Sequence, residues 1–329
     1  MIYLIQLLKI RQVRLSSKIA QSNSGFTLIE LLVAMIMAFA VIGPLLGFML
    51  NTLNTNRQEL SKANSEQEIQ SALDYIAQDL DQAVYIYDAD GLNNKSTDTP
   101  PGIKDQIPPM ATASSCVNNP PSNICVPVLA FWKRKVIPSI LPVTGTTTNN
   151  DTFVYSLVVY YLIQGNNSNG IWSNAARIGR FEIYDGVINP TTPTNTNGTP
   201  NYIQSPSPGF QLFNLTLIGQ TLKDRMDRWQ KASQAYTDYP FTLIDYIDQS
   251  TNGIVVDCTK LSSAAQQVPT NLVGGFYACV DSSKTAAQIY IRGNALARIQ
   301  NPATYNSSQS IYFPTASIQI KGRGTLGTN

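Results

Sequence analysis

One apolar run near the N-terminus constrains this chain more than any other feature. It extends from Phe26 to Leu50, and Glu30 is the only charged residue between Phe26 and Asn56. As an α-helix these 25 residues span roughly 37 Å, more than the ~30 Å hydrocarbon layer of a bilayer. A cleaved secretory signal has an apolar region of only about 7–15 residues. The run therefore predicts a membrane anchor.

The charges around this run predict its orientation. Residues 1–25 contain no acidic residue and four basic ones, Lys9, Arg11, Arg14 and Lys18. By the positive-inside rule, these residues remain in the cytoplasm and the rest of the chain is exported. The whole chain has 23 basic and 21 acidic residues, so without these four the remainder has 19 against 21. The remainder is therefore close to neutral and gives no sign of the basic patch that nucleic-acid binding requires.

Glu30 lies about one turn inside the predicted helix, where a carboxylate is costly unless it has a partner. A cut after Gly25 would create a free α-amino group at Phe26. That cation would lie about one turn from Glu30 of a neighbouring chain, and a buried pair would fix the axial register of the helices. The alternative is a carboxylate that reaches the membrane interface without a partner.

Residues 25–34, GFTLIELLVA, resemble the class III signal sequence of type IV pilins and type II secretion pseudopilins. The resemblance implies cleavage between Gly25 and Phe26 by a prepilin peptidase, N-methylation of Phe26, and a role for Glu30 in filament assembly. It implies as partners the membrane, other pilin-like subunits, and a secretion or pilus assembly platform. The expected location is a single pass of the inner membrane with a periplasmic head, and then a periplasmic or cell-surface filament.

An apolar stripe follows the anchor. Its members recur at steps of four, three, four and four, and they are Ile69, Leu73, Ile76, Leu80 and Val84. This spacing predicts that the helix continues along one buried face. The stretch 72–83 also resembles the stem end of J-type secretion pseudopilins and W-type minor pilins, which share an Ile-x-x-Asp-Leu-x-x-Ala pattern.

These features divide the chain into four expected parts. Residues 1–25 are a cleaved cytoplasmic leader, 26–50 the transmembrane half of a stem helix, 51–84 its amphipathic half, and 85–329 a β-rich extracytoplasmic head. The expected fold class is α+β and type IV pilin-like, with a long N-terminal helix packed on an antiparallel sheet.

Within the head, residue composition separates loops from strands. Residues 88–124 and 189–209 are rich in Pro, Asn and Thr and are expected to be loops. A short helix is predicted at 222–233. Strands are predicted at 126–136, 152–164, 176–184, 210–218, 253–258, 276–280, 288–292 and 310–320.

The four cysteines, Cys116, Cys125, Cys258 and Cys279, lack any C-x-x-C spacing, which disfavours a zinc site. In an exported domain they fit two disulfides, with three possible connectivities. The local pairs Cys116–Cys125 and Cys258–Cys279 are preferred. The alternative is four buried free thiols.

No catalytic, cofactor or metal site is predicted. The chain has no histidine, so it lacks the commonest general base and metal ligand. Scattered aspartates, among them Asp79 and Asp248, are expected to be solvated. Asp88 and Asp90 faintly resemble a calcium loop, but the terminal glutamate of an EF-hand is missing.

The interpretation that best fits these features is a minor pseudopilin of a type IV pilus-like or type II secretion-like filament, and not an enzyme. The large polar head and the stem pattern also resemble pseudopilins for polysaccharide secretion and gliding motility in filamentous cyanobacteria. A membrane-anchored adhesin or glycan-binding module is the alternative, and an anchored periplasmic enzyme is a third hypothesis.

Overall fold

The computed structural model describes residues 25–108, 124–143, 145, 148–165, 171–217, 221–301, 303–324 and 326. The chain forms two compact units, Met1–Thr55 and Asn56–Asn329.

Helix α1 extends from Leu28 to Asp81. Residues 25–60 are all exposed, and burial within the helix begins at Ser61. All five members of the predicted apolar stripe are buried, from 0% exposure at Leu73 to 4% at Val84. Val84 lies beyond the helix, in the first strand. The stripe is therefore confirmed as a core face, and it continues past the end of the helix.

The second unit contains two antiparallel sheets. The larger has the order β1-β2-β3-β4-β7, formed by Ala83–Ile86, Ile124–Pro142, Asn149–Gln164, Ala176–Tyr184 and Phe241–Ile247. The smaller has the order β11-β10-β9-β8, formed by Thr315–Lys321, Ala286–Arg292, Phe276–Asp281 and Gln266–Val268. A two-stranded pair joins β5 (Val187–Ile188) to β6 (Tyr202–Gln204). The long N-terminal helix and antiparallel sheets confirm the predicted α+β, type IV pilin-like class.

Two short helices and four 3-10 turns complete the described chain. Helix α2, Ala89–Asn93, lies inside the stretch predicted to be loop, of which residues 109–123 lie outside the described part. Helix α3 is Leu222–Met226. The 3-10 turns are Cys258–Lys260, Ser282–Lys284, Ala295–Arg298 and Ser307–Tyr312.

Aromatic packing explains why residues 210–217 of the predicted strand 210–218 form no strand, and why the helix predicted at 222–233 is confirmed only as the shorter helix Leu222–Met226. Phe210 and Phe213 lie in irregular chain and contact Trp132 edge-on, with ring centroids 5.9 and 5.1 Å away. Trp229 packs against the same indole at 5.5 Å, and its ring nitrogen donates to the carbonyl of Gln211 at 2.7 Å. Three rings therefore converge on one core side chain, which takes them out of regular strand and helix.

The strand predicted at 253–258 is also absent from the described structure. Gly253 has a φ of 72°, which favours glycine and turns the chain. Val255 is 89% exposed, so its apolar side chain contributes nothing to a core. At the C-terminal end, the predicted strand 310–320 begins later, because the 3-10 turn Ser307–Tyr312 precedes β11.

Candidate functional site

The N-terminal motif lies at the exposed start of α1. Gly25, Phe26 and Thr27 precede the helix, and Phe26 is 80% exposed. A Cβ placed on Gly25 would meet no atom within 4 Å. The folded chain therefore does not itself require glycine here, and a requirement would come from an enzyme that approaches this backbone.

Thr27 and Glu30 begin the helix together. The amide of Glu30 donates to the carbonyl of Thr27 at 3.0 Å, and its distance to Thr27 Oγ1 is 3.3 Å. Thr27 thus satisfies a donor that the first helical turn leaves free. A carboxylate three residues after the cap also interacts favourably with the helix dipole. Glu30 therefore has a local stabilising role, which the Thr-x-x-Glu spacing indicates in addition to the role in assembly predicted above.

Among the described residues of the first unit, nothing covers its apolar surface. Large apolar side chains from Phe26 to Leu53 are between 45% and 85% exposed. Helix α1 is long and apolar enough for one membrane crossing. Water is a poor environment for so large an apolar surface, so lipid or other helices are its natural surroundings.

A buried charge cluster holds the second half of α1 on the larger sheet. Asp79 of α1 is 9% exposed and receives three donors. Lys133 Nζ of β2 lies 2.7 Å from Oδ1, and Arg180 Nε of β4 lies 2.7 Å from Oδ2. The hydroxyl of Tyr160 on β3 donates to Oδ2 at 2.6 Å. One helical carboxylate thus bonds to three adjacent strands. The expectation that Asp79 is solvated is wrong.

Glu182 extends this cluster along β4. Arg180 Nη1 lies 3.0 Å from its carboxylate, and Lys135 Nζ lies 3.2 Å away. Burial alone raises the pKa of Asp79, but the hydrogen bonds and charges of Arg180 and Lys133 outweigh it and hold that pKa below the ordinary aspartate value. The pKa of Glu182 is lowered in the same way, by Arg180, Lys133 and Lys135 against burial. Both carboxylates are therefore ionised at neutral pH.

The stretch around Asp88 that faintly resembles a calcium loop contacts the side chain of a lysine from another segment. Asp88 accepts from the amide of Gly91 at 3.3 Å and caps α2. Lys223 Nζ lies 2.5 Å from Asp88 and 3.1 Å from Asp227. Burial raises the pKa of Asp227 to about 6, although the nearby ammonium opposes the shift. In the described part of the chain, no group of three or more His, Cys, Asp or Glu residues is placed to hold a metal ion.

A disulfide joins Cys258 to Cys279 and so ties the turn before β8 to strand β9. The predicted partner of Cys125, Cys116, lies outside the described residues. Cys279 is completely buried and Cys258 is half-buried.

Removing this disulfide should destabilise the second unit. In the chain-entropy model a loop of about 15 residues contributes about 3 kcal/mol, and the separation here is 21 residues. We expect Cys258→Ala with Cys279→Ala to lower the free energy of unfolding by about that amount in urea. The control is Thr259→Ala, beside the disulfide. Equal midpoints for the double variant and the control would contradict the stabilising role.

Comparison with known families gives one match. Residues 21–46 match the family model of the prokaryotic N-terminal methylation motif. The match covers only the start of the chain, and it supports the pilin and pseudopilin class. It implies processing by a prepilin peptidase and assembly with other pilin-type subunits, and it indicates a structural subunit rather than an enzyme. Comparisons with curated proteins and with solved structures gave no match.

Proposed function

We propose that this chain is a minor pseudopilin, cut between Gly25 and Phe26 and assembled into a type IV pilus-like or type II secretion-like filament. The observation that carries the proposal is the coincidence of the methylation motif, residues 21–46, with an exposed helix start and an uncovered apolar helix. In this proposal Phe26 becomes the N-methylated first residue of the mature chain.

Glu30 serves assembly in this proposal. The new α-amino group of one subunit pairs with Glu30 of its neighbour, between helices packed in a low-dielectric core. The exposure of the first unit supports this role, because its apolar side chains are free to pack against other copies of the same helix.

The rest of the chain lies outside the cytoplasm in this proposal. Residues 1–25 are removed, 26–50 cross the inner membrane before assembly, 51–84 complete the stem, and 85–329 form the head. The disulfide between Cys258 and Cys279 supports an oxidising location, because disulfides persist mainly in exported proteins. We propose Cys116–Cys125 as the second pair.

The finer proposal is polysaccharide secretion and gliding motility, through a pilus or secretion assembly platform. It is supported by the stem pattern, in which Asp79 of the sequence Ile76-x-x-Asp79-Leu80-x-x-Ala83 anchors the helix to three strands. The large head adds support through its resemblance to such pseudopilins.

Processing tests the proposal directly. The mature protein, purified from membranes of its source, should begin at Phe26 and carry one extra methyl group in intact-mass and N-terminal sequencing experiments. Gly25→Leu should leave the full-length precursor, because the peptidase must approach the backbone where only hydrogen projects.

The matched control is Gly47→Leu. Like Gly25, Gly47 has no atom within 4 Å of an added Cβ, so both substitutions are tolerated sterically by the chain itself. The proposal is supported if Gly47→Leu is cleaved normally while Gly25→Leu is not cleaved. A mature chain that begins elsewhere contradicts it and favours a simple anchored adhesin, which needs no such cut.

A further inference from the structure

The second unit contains a lysine, Lys223 of helix α3, that is in contact with three carboxylates and that filament assembly does not use. Its Nζ lies 2.5 Å from Asp88, 3.1 Å from Asp227 and 3.5 Å from Asp90. Asp88 lies between β1 and α2, so the shortest of these contacts joins segments that are 135 residues apart in the sequence. An amine and a carboxyl group held in contact are the two halves of an amide bond.

Burial fixes the two closest carboxylates in place. The side chain of Asp88 is 6% exposed and that of Asp227 is 2% exposed, whereas that of Lys223 is 30% exposed. The hydroxyl of Tyr85 donates to Asp227 Oδ1 at 3.4 Å. The backbone of Gly91 passes so close that an added Cβ would lie 2.9 Å from the same oxygen. The groups are therefore held in one arrangement, and the lysine side leaves a route by which a water molecule can escape.

The nitrogen of Lys223 must lose a proton before it can attack a carboxyl carbon. Burial lowers the pKa of Lys223, but the hydrogen bonds and charges of Asp88 and Asp227 outweigh burial and raise that pKa. The amine therefore needs a base in contact with it. Burial raises the pKa of Asp227 to about 6, so this carboxylate accepts a proton more readily than an exposed aspartate would.

Two donors polarise the carboxyl group of Asp88. The hydroxyl of Ser282 donates to Oδ2 at 2.8 Å, and the amide of Gly91 donates to Oδ1 at 3.3 Å. Both stabilise negative charge on the oxygens when a nitrogen attacks the carbon between them. The third carboxylate, Asp90, lies farther from Lys223 and its side chain is 42% exposed. Asp88 is therefore the favoured acceptor.

We propose that Lys223 and Asp88 form an intramolecular isopeptide bond, with Asp227 as the proton carrier. Nζ of Lys223 bonds to Cγ of Asp88, and one C–O bond of Asp88 breaks. Asp227 takes two protons from the nitrogen in turn and passes them to the departing oxygen, which leaves as water. An ammonium and a carboxylate thus become an amide and one water molecule, and Asp227 returns to its original state. The reaction needs no oxidant, reductant or other co-reactant.

The bond closes a covalent loop around much of the larger sheet. Residues 88–223 include strands β2, β3 and β4. Such a crosslink restricts the unfolded chain as a disulfide does, but a reductant does not open it. This modification goes beyond the proposed role in a filament, since it requires neither cleavage after Gly25 nor other subunits.

Peptide mass mapping of the full chain tests the proposal. The chain is purified in detergent, reduced, alkylated and digested with trypsin, which does not cut after a lysine whose side-chain nitrogen forms an amide. We expect one branched fragment that joins residues 63–95 to residues 181–225 and is lighter than their sum by one water. Fragmentation should place the bond between Lys223 and Asp88. Recovery of residues 181–223 as a separate peptide from most of the folded protein would overturn the proposal, as would a bond to Asp90 or Asp227.

Variants test the roles of the individual groups. Lys223→Arg keeps the positive charge, but its guanidinium remains protonated and forms no such bond, so the two peptides should separate. Asp227→Asn keeps the shape of the proton carrier and should lower the crosslinked fraction at least tenfold. The matched control is Lys284→Arg, because Lys284 Nζ lies 3.6 Å from Asp281 with its side chain 61% exposed. This control should be fully crosslinked.

Two further outcomes separate this proposal from the others. Crosslinking that persists unchanged in Asp227→Asn would overturn the role of Asp227, and the wild-type map decides the bond itself even if a variant does not fold. The same digest shows whether the mature chain begins at Phe26. A mature N-terminus at Phe26 without the crosslink would leave the filament proposal standing, and the crosslink without that N-terminus would leave the isopeptide bond standing.

Discussion

Replacing Asp79 with asparagine should lower the free energy of unfolding by about 3–5 kcal/mol. The substitution keeps the shape of the side chain but removes its charge. Arg180 and Lys133 would then remain buried without the carboxylate of Asp79. Glu182 would be the one carboxylate of this cluster left to compensate them, and it also pairs with Lys135. Removing one member of a buried ion pair is costly because it leaves an uncompensated charge away from water.

Asp81→Asn is the matched control. Asp81 lies two residues further along the same helix, but its side chain is 50% exposed and its pairing with Arg323 spans 3.1 Å at the surface. Surface pairs of this kind contribute at most about 1 kcal/mol. Urea unfolding followed by tryptophan fluorescence suits both variants, because Trp132 and Trp229 are buried. A loss for Asp79→Asn no larger than for Asp81→Asn would contradict the proposed anchoring role.

The same cluster predicts how stability depends on pH. The folded-state pKa of Asp79 lies below its unfolded value, as does that of Glu182. Their stabilisation is therefore complete above the unfolded values, about 4, and is lost as pH falls through the folded pKa values. The stability difference between wild type and Asp79→Asn should be largest near neutral pH and shrink in acid. A difference that grows on acidification would contradict this assignment.

The sequence was most informative where a single segment carries the whole signal. The apolar run from Phe26, the stripe from Ile69 to Leu80 and the strand at 176–184 each repeat one physical pattern over many residues. Short strands were not predicted. Strand β1, for example, has only four residues, too few to show a periodic pattern of apolar residues. Strand β7 was also missed, since Asp245 interrupts its apolar residues.

The burial of these charged residues could not be predicted from the residues next to them in the sequence. Asp79 lies among Asp74 and Asp81 in the sequence, and all three looked equally solvated. Its burial depends on Lys133 and Arg180, which are 54 and 101 residues away. Asp248 was misjudged for the same reason, because its partner Arg292 is distant in the sequence and lies on strand β10.

Replacing Glu30 with leucine should leave cleavage and membrane insertion intact but abolish assembly. A carboxylate gives no advantage to a lone anchor, whose insertion should improve when the charge is removed. In a filament, the same carboxylate would pair with the cationic N-terminus of a neighbouring Phe26. The measurement is co-purification of the variant with other pilin-type subunits, together with secretion or motility of the cells.

The cap at the start of α1 makes a second substitution necessary. Glu30 could matter only because it lies in the first turn, near Thr27, where glutamate and glutamine both complete a capping box. Glu30→Gln keeps that capping ability and removes the charge. We therefore expect Glu30→Gln to fail in assembly like Glu30→Leu, while Glu30→Asp, with a shorter side chain, retains part of the function. A subunit at the filament tip has no neighbour above it, so normal assembly of Glu30→Gln calls for the same replacement in the subunit below. If that variant also assembles like wild type, the residue acts as a cap and the charge pairing is wrong.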